Sequence, residues 1–305
     1  MTPIKRIEET VDSDGFKLSL LTVAQSGMEP RAVVQLIHGS LEYKERYMPF
    51  LEFLASKGFT AVISDLRGHG KSTNAEYPQG YMRDVKEMIL DQGRITRLIE
   101  ERYPGVPIFI FGHSLGSIFA RLYLSRYDDK VAGCILTGTA DRRRFASLGP
   151  LIVDLVAPFT GGMKGRCRFL NKLAGLDKPA ETWLSYSKQN LLDHAKDRGM
   201  CEMFLNGGFK VLFKADSLLS RKRIFQCLNP ELPILSCSGK DDPVTGGPEG
   251  LRKTVKTLRG IGYKNVYVKV YEGMMHEVLN EDNKQVVFND IAAFIDGVLK
   301  AKKEN

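Results

Sequence analysis

The chain has 305 residues, 44 Lys and Arg against 36 Asp and Glu, and a net charge of +8. Its 43% hydrophobic content is enough for a packed interior, and the length suits one α/β domain carrying an insertion. No eighteen-residue apolar run could span a bilayer, and the first ten residues lack the apolar core of a secretory signal.

Taken in order, Phe16–Val23 and Ala32–Ile37 read as strands, 46–57 as a helix closed by Gly58, and Thr60–Ser64 as a strand. A long helix over about 82–102 leads to the apolar run Val106–Phe111, a buried strand, and Ser117–Arg126 has helical spacing. Gly133–Thr137, Leu232–Ser238 and Asn265–Tyr271 read as further strands, and the amphipathic stretch 284–300 as a closing helix. Strands alternating with helices predict a mostly parallel sheet covered on both faces. Between 141 and 225 the alternation stops and the pattern becomes helical or irregular. The whole charge of +8 falls in that stretch, including Arg142, Arg143, Arg144, Arg221, Lys222 and Arg223, while the flanking segments are neutral. A solvated basic face explains such a charge as well as attraction to an anionic lipid surface does; nucleic acid is disfavoured, since no binding module accompanies it.

Residues 112–116 read Gly-His-Ser-Leu-Gly between the apolar strand and the helix. A G-x-S-x-G pentapeptide in that setting forms a nucleophile elbow, whose sharp turn needs small neighbours two residues either side of the serine. Ser114 is therefore the candidate nucleophile. A serine hydroxyl needs a base, and the base an orienting acid. Of the five histidines, His38 and His69 sit in glycine turns, His113 packs inside the elbow, and His194 lies in a polar helical stretch as a surface residue. His276 follows the late strand 265–271 in a glycine-containing loop, where open α/β sheets place reactive groups, and is the candidate base. For the acid, Asp242 precedes Pro243 in the turn after 232–238 and is favoured; Asp241 and Asp141 remain alternatives. The five cysteines (134, 167, 201, 227 and 237) have no paired spacing and read as free thiols of a cytoplasmic protein. No metal-ligand spacing or phosphate loop appears, so neither metal nor cofactor is expected.

These segments stand in a recognisable order: Val33-Val-Gln-Leu-Ile-His-Gly-Ser40, Ser64-Asp-Leu-Arg-Gly-His-Gly-Lys-Ser72, the elbow, Ser238-Gly-Lys-Asp-Asp-Pro-Val244 and Tyr271-Glu-Gly-Met-Met-His276. Together they resemble the α/β-hydrolase fold over about 15–300, in its monoacylglycerol lipase and lysophospholipase-like branch. The resemblance implies a helical cap inserted after the sixth strand, here 141–225, on a core formed by 1–140 and 226–305. It implies an acid at the fourth residue of Gly-x-x-Asp, here Asp242, and an oxyanion hole built from the Ser40 and Leu115 backbone amides. It also implies a lipid or other small-molecule ester as substrate. One departure stands out, since the family often has a small residue or glycine soon after His-Gly, whereas this chain has Leu41 and Glu42. Met163, Phe159, Phe169, Trp183, Met200, Met203 and Phe204 are candidates for an acyl channel, with ordinary packing the expected role of most. An aminopeptidase of the same superfamily, or a non-catalytic ligand-binding relative, is the competing reading.

Overall fold

The computed structural model describes residues 3–141 and 146–304, so Arg142, Arg143 and Arg144 lie outside the described residues. Among the described residues, eight strands form one sheet: β1 (Ile4–Ser13), β2 (Phe16–Gln25), β3 (Val33–Ile37), β4 (Thr60–Ser64), β5 (Ile108–His113), β6 (Gly133–Thr137), β7 (Ile234–Gly239) and β8 (Val266–Tyr271). Their order is β1-β2-β4-β3-β5-β6-β7-β8. The pairs β1/β2 and β2/β4 are antiparallel and every other pair is parallel, so the parallel strands all end at one edge.

The helices are α1 (Met48–Ser56), α2 (Val85–Arg102), α3 (Leu115–Tyr127), α4 (Gly149–Val156), α5 (Arg168–Leu173), α6 (Lys188–Lys196), α7 (Asn206–Leu218), α8 (Gly247–Ile261) and α9 (Lys284–Glu304). Period-two alternation splits each inner strand between two cores. Val34, Leu36, Phe109 and Phe111 face Phe50, Leu51 and Leu54 of α1 and Val287, Phe288 and Ile291 of α9. Val33, Ile37, Ile108 and Ile110 face the other side, with Met88 and Ile95 of α2, Ile118 and Phe119 of α3, and Leu258 of α8. This is the layering of the α/β-hydrolase fold.

Four of the helices, α4 to α7, lie between β6 and β7. Phe209, Val211 and Phe213 of α7 and Val153 of α4 join the same core as α3, so the insert packs onto that core through α3. None of the described helices is long and apolar enough to cross a membrane.

Two local findings depart from the sequence expectations. The hydrophobic pattern does not announce β1, an edge strand whose first five side chains are exposed. It is held by ladder bonds to β2 and by ion pairs such as Lys71–Glu8, 2.7 Å, and Arg102–Glu9. Its signature is the Asp14-Gly15 turn, both residues at positive φ (50° and 79°), a conformation that hairpins with matching twist require. The helix expected over 46–57 begins at Met48, because Lys44–Tyr47 forms a 3-10 turn and Pro49 falls in the first turn of the α-helix, where its missing N–H costs no intrahelical bond.

Candidate active site

Ser114 sits between β5 and α3 with φ 52° and ψ −117°, a strained conformation for a residue with a side chain. The neighbouring glycines make that turn possible. A Cβ at Gly112 would stand 2.2 Å from the Gly116 carbonyl oxygen, and one at Gly116 would stand 2.1 Å from the Ile37 carbonyl oxygen. The Ser114 N–H donates to the Thr137 carbonyl at 3.0 Å, which ties the elbow to β6. Leu115 opens α3, so its N–H is among those with no partner inside the helix.

His276 and Asp242 come together across two loops, Nδ1 to Oδ2 at 2.9 Å, both buried. The other Asp242 oxygen accepts from the Val244 N–H at 2.8 Å, fixing the carboxylate. Burial pulls the His276 pKa down, but the Asp242 charge and hydrogen bond outweigh it and raise it above the ordinary 6.5. The other aspartates are placed elsewhere. Asp241 is exposed and accepts from Tyr186 Oη at 3.3 Å, while the Asp141 carboxylate lies against the 246–250 turn. Ser114, His276, Ser40 and Leu115 line one cavity of ≈490 Å³.

The turn after β3, which carries the candidate oxyanion donor Ser40, is strained too. Leu41 takes φ 64°, the conformation a glycine adopts most easily, which is how this chain manages without one. Beneath it lies a buried charge cluster. Glu42 Oε2 accepts from the Gly39 N–H at 2.8 Å and from Tyr47 Oη at 2.7 Å. Arg46 Nη2 donates to both Glu277 oxygens at 3.1 and 3.2 Å, its Nη1 donates to Asp197 at 3.1 Å, and its Nε lies 3.8 Å from Glu42 Oε1. Burial, then the Glu277 charge, pushes Glu42 up to about 7; Glu277, despite its burial, is held down to about 2 by Arg46 and its hydrogen bonds. Glu42, His113 and Glu277 offer donor atoms within 4.8 Å of one another, a metal-like grouping, but Arg46 already supplies their countercharge.

His38, His69 and His113 are buried histidines held in the neutral form. Burial drops His38 to about 4 and His69 and His113 to about 3, and His38 Nε2 accepts from the Leu66 N–H at 2.9 Å. His194 is not the surface residue its sequence context suggests: it is half-buried and lines the Ser114 cavity. Of the seven acyl-channel candidates, Trp183 and Met200 line that cavity. Phe204 is buried in the core, Met163 and Met203 pack against it, and Phe159 and Phe169 point outward, 89% and 57% exposed.

A family model described as serine aminopeptidase, S33, matches residues 28–283. The chain belongs to this α/β-hydrolase family. The hydrolase is 26% identical over 272 residues to the monoacylglycerol lipase of Mycolicibacterium smegmatis, covering 88% of this chain and 89% of that one. It is 33% identical over 275 residues to a monoglyceride lipase homolog of Monkeypox virus, covering 87% and 90%. A thermostable carboxyl esterase from Bacillus coagulans, solved with glycerol, superposes with a TM-score of 0.86 at 25% identity over 96% of this chain and 99% of that one.

Several residues that build the hydrolase site escape sequence reasoning. The insert supports the histidine loop directly, with His276 N–H donating to the Trp183 carbonyl at 3.3 Å and Glu277 N–H to that of Leu184 at 2.8 Å. The Trp183 ring lies 5.2 Å from the His276 ring. Glu281 accepts from Ser185 Oγ and from the Tyr186, Ser187 and Met275 N–H groups, closing the same junction. Glu277 and Glu281 follow His276 closely, and carboxylates so near a buried base are the one signal the sequence offers for this network.

Proposed function

We propose that this hydrolase cleaves carboxylic esters of acyl lipids, of the monoacylglycerol or lysophospholipid class, through Ser114, His276 and Asp242. The observation that carries the reading is the buried 2.9 Å bond from His276 to Asp242 in the wall of the cavity that also receives the strained Ser114. His276 takes the Ser114 proton as Oγ attacks the ester carbonyl carbon, and Asp242 fixes the imidazole tautomer and balances its charge. The Ser40 and Leu115 amides receive the developing oxyanion, each such donor contributing ~3 kcal/mol. His276 then protonates the departing alcohol, and water, activated by the same imidazole, releases the acid from the acyl-enzyme.

Relatives named as monoacylglycerol and monoglyceride lipases support the acyl-lipid class, and so do the apolar walls that Ile118, Leu173, Leu176, Leu184 and Leu212 give the cavity. An aminopeptidase would need a carboxylate pair free to hold an ammonium. Asp141 and Asp216 line the cavity, yet both are already engaged and share the buried Arg121 charge. We take 141–225 as a cap over the cavity and assign it a peripheral contact with anionic membrane. Leu151 and Leu155 stand exposed at helical spacing on α4, with Leu148 just before the helix and Phe159 beyond it, and Arg221, Lys222 and Arg223 are exposed on the same insert.

The test is a panel of acylglycerols, lysophospholipids, p-nitrophenyl esters and aminoacyl amides run on the wild type and on Ser114→Ala. Lipid esters should turn over in the wild type, and Ser114→Ala should lose on the order of 10⁵-fold or more in kcat without losing its fold. Turnover of aminoacyl amides alone would replace the esterase reading with a peptidase one. Turnover retained by Ser114→Ala would end the serine mechanism.

A further inference from the structure

We propose that Glu42 is a positioning residue for the oxyanion hole: its buried carboxylate, held between Arg46 and Tyr47, pins the Gly39–Leu41 turn so that the Ser40 N–H points at the developing oxyanion. This rests on the ester-hydrolase reading above and adds a residue that the triad does not contain.

Three observations converge on Glu42. First, the turn it holds is strained and needs an external anchor. Leu41 sits at φ 64°, and Glu42 Oε2 reaches back three residues to the Gly39 N–H at 2.8 Å. The fit is close, since a Cβ at Gly39 would stand 2.8 Å from that same oxygen and 3.1 Å from the His113 ring. Second, the carboxylate is fixed from the other side by Tyr47 Oη at 2.7 Å, and the Tyr47 hydroxyl is also 3.2 Å from the Gly39 N–H. Gly39, Glu42 and Tyr47 thus form a closed ring of contacts under Ser40. Third, the anchor is connected to the base. Arg46 faces Glu42 at 3.8 Å and Glu277, the neighbour of His276, at 3.1 Å. It joins the oxyanion turn to the histidine loop through one guanidinium. The insert completes the clamp, with Asp197 on Arg46 at 3.1 Å, Asn190 on Glu277 at 2.8 Å, and the Cys201 N–H on the Leu41 carbonyl at 2.8 Å.

The charge state of Glu42 then bears on catalysis. A carboxylate accepts hydrogen bonds about twice as strongly as a neutral acid, so the turn is held best when Glu42 is ionised. The charged or titratable groups around it are Arg46 and Tyr47 from the turn and α1 side, His113 from the end of β5, His276 and Glu277 from the histidine loop, and Asp197 and His194 from the insert. Of these, Glu42, raised by burial and the Glu277 charge, and His276, raised by Asp242 against its burial, both respond to acid in the same direction. As pH falls, His276 gains the proton that stops it acting as a base, and Glu42 gains one that loosens the oxyanion turn. The acid limb of the rate profile therefore carries two protons.

The experiment compares the wild type, Glu42→Gln, Tyr47→Phe and Ser114→Ala, using a soluble p-nitrophenyl ester and a trifluoromethyl ketone that adds to Ser114 and places its oxyanion in the hole. Glu42→Gln should lower kcat roughly tenfold and weaken ketone inhibition by the same factor, with KM within about twofold, because only the tetrahedral species uses the pinned amide. Its acid limb should fall with a one-proton slope throughout, where that of the wild type is steeper than one over the pH range in which Glu42 also titrates. Tyr47→Phe, which removes one donor from the same oxygen, should move both readouts the same way by a smaller factor, and it carries the test should Glu42→Gln not fold. Unchanged kcat and superimposable pH profiles overturn the proposal, as does a loss of KM and kcat together with ketone affinity intact. Turnover by Ser114→Ala overturns the underlying hydrolase reading instead, whatever Glu42→Gln does.

Discussion

Replacing Asp242 by Asn tests the assignment of the acid with little change of shape. In the wild type, Asp242 Oδ2 accepts from His276 Nδ1 at 2.9 Å in a buried site, which leaves Nε2 free to accept the Ser114 proton. An asparagine amide can donate to Nδ1 instead, driving the imidazole to the tautomer whose proton faces Ser114, where it cannot act as a base. It also removes the charge that steadies the imidazolium. The cost in comparable triads is on the order of 10⁴-fold in kcat, about 5.4 kcal/mol at 1.36 kcal/mol per decade. The comparison variants are Asp241→Asn, whose carboxylate is exposed, and Asp141→Asn, whose carboxylate lies against the 246–250 turn; each should stay within about threefold of the wild type. The assay is kcat for a soluble ester from pH 5 to 9, with circular dichroism to confirm folding. The sign of the pH effect is fixed by the raised His276 value: activity is present above it and is lost as pH falls through it, so the wild-type midpoint lies above 6.5. Without Asp242 the two largest raising effects are lost, leaving the Glu277 and Glu42 charges against burial, and the residual activity should persist to lower pH. A folded Asp242→Asn with near-wild-type turnover, or a larger loss in Asp241→Asn or Asp141→Asn, would refute the assignment.

Gly116→Ala should cost at least about 2 kcal/mol and lower Tm by several degrees, because its Cβ would stand 2.1 Å from the Ile37 carbonyl oxygen; a thermal melt equal to the wild type's would show that the elbow is looser than described. Vesicles containing anionic lipid should bind the protein better than neutral ones and release it as salt rises. Reversing Arg221, Lys222 and Arg223 to Glu should remove ~1 kcal/mol per residue held near the surface, with hydrolysis of a soluble ester unchanged. Changing Leu151, Leu155 and Phe159 to Ser should weaken binding to anionic and neutral vesicles alike, since it removes exposed apolar area; equal binding to both vesicle types with no salt dependence would reduce the patch to a solvated face.

The parts of the molecule that can be read from the chain are those whose cause is local. The inner strands β3 to β7 show as apolar runs because both faces of the sheet are covered there, and the elbow shows because only glycine fits at 112 and 116. β1 is harder to see because an edge strand with exposed, charged side chains has no periodic apolar face to display. The insert defeats side-chain reasoning for another reason. Whether an aromatic such as Phe159 or Phe204 points to cavity, core or solvent depends on how α4 to α7 pack on α3, which no window of sequence contains. The charge cluster is the strongest case. Arg46 and Glu277 are 231 residues apart, and each alone reads as an ordinary surface charge. Only the fold brings them into a buried space where burying either one unpaired would be prohibitive. That cost works in the site's favour. Because Glu42, Arg46, Glu277 and Asp197 cannot separate without stranding a buried charge, the 39–41 turn, the histidine loop and the insert are obliged to keep one relative arrangement, and the strained Ser114 and Leu41 are held between segments that cannot relax independently.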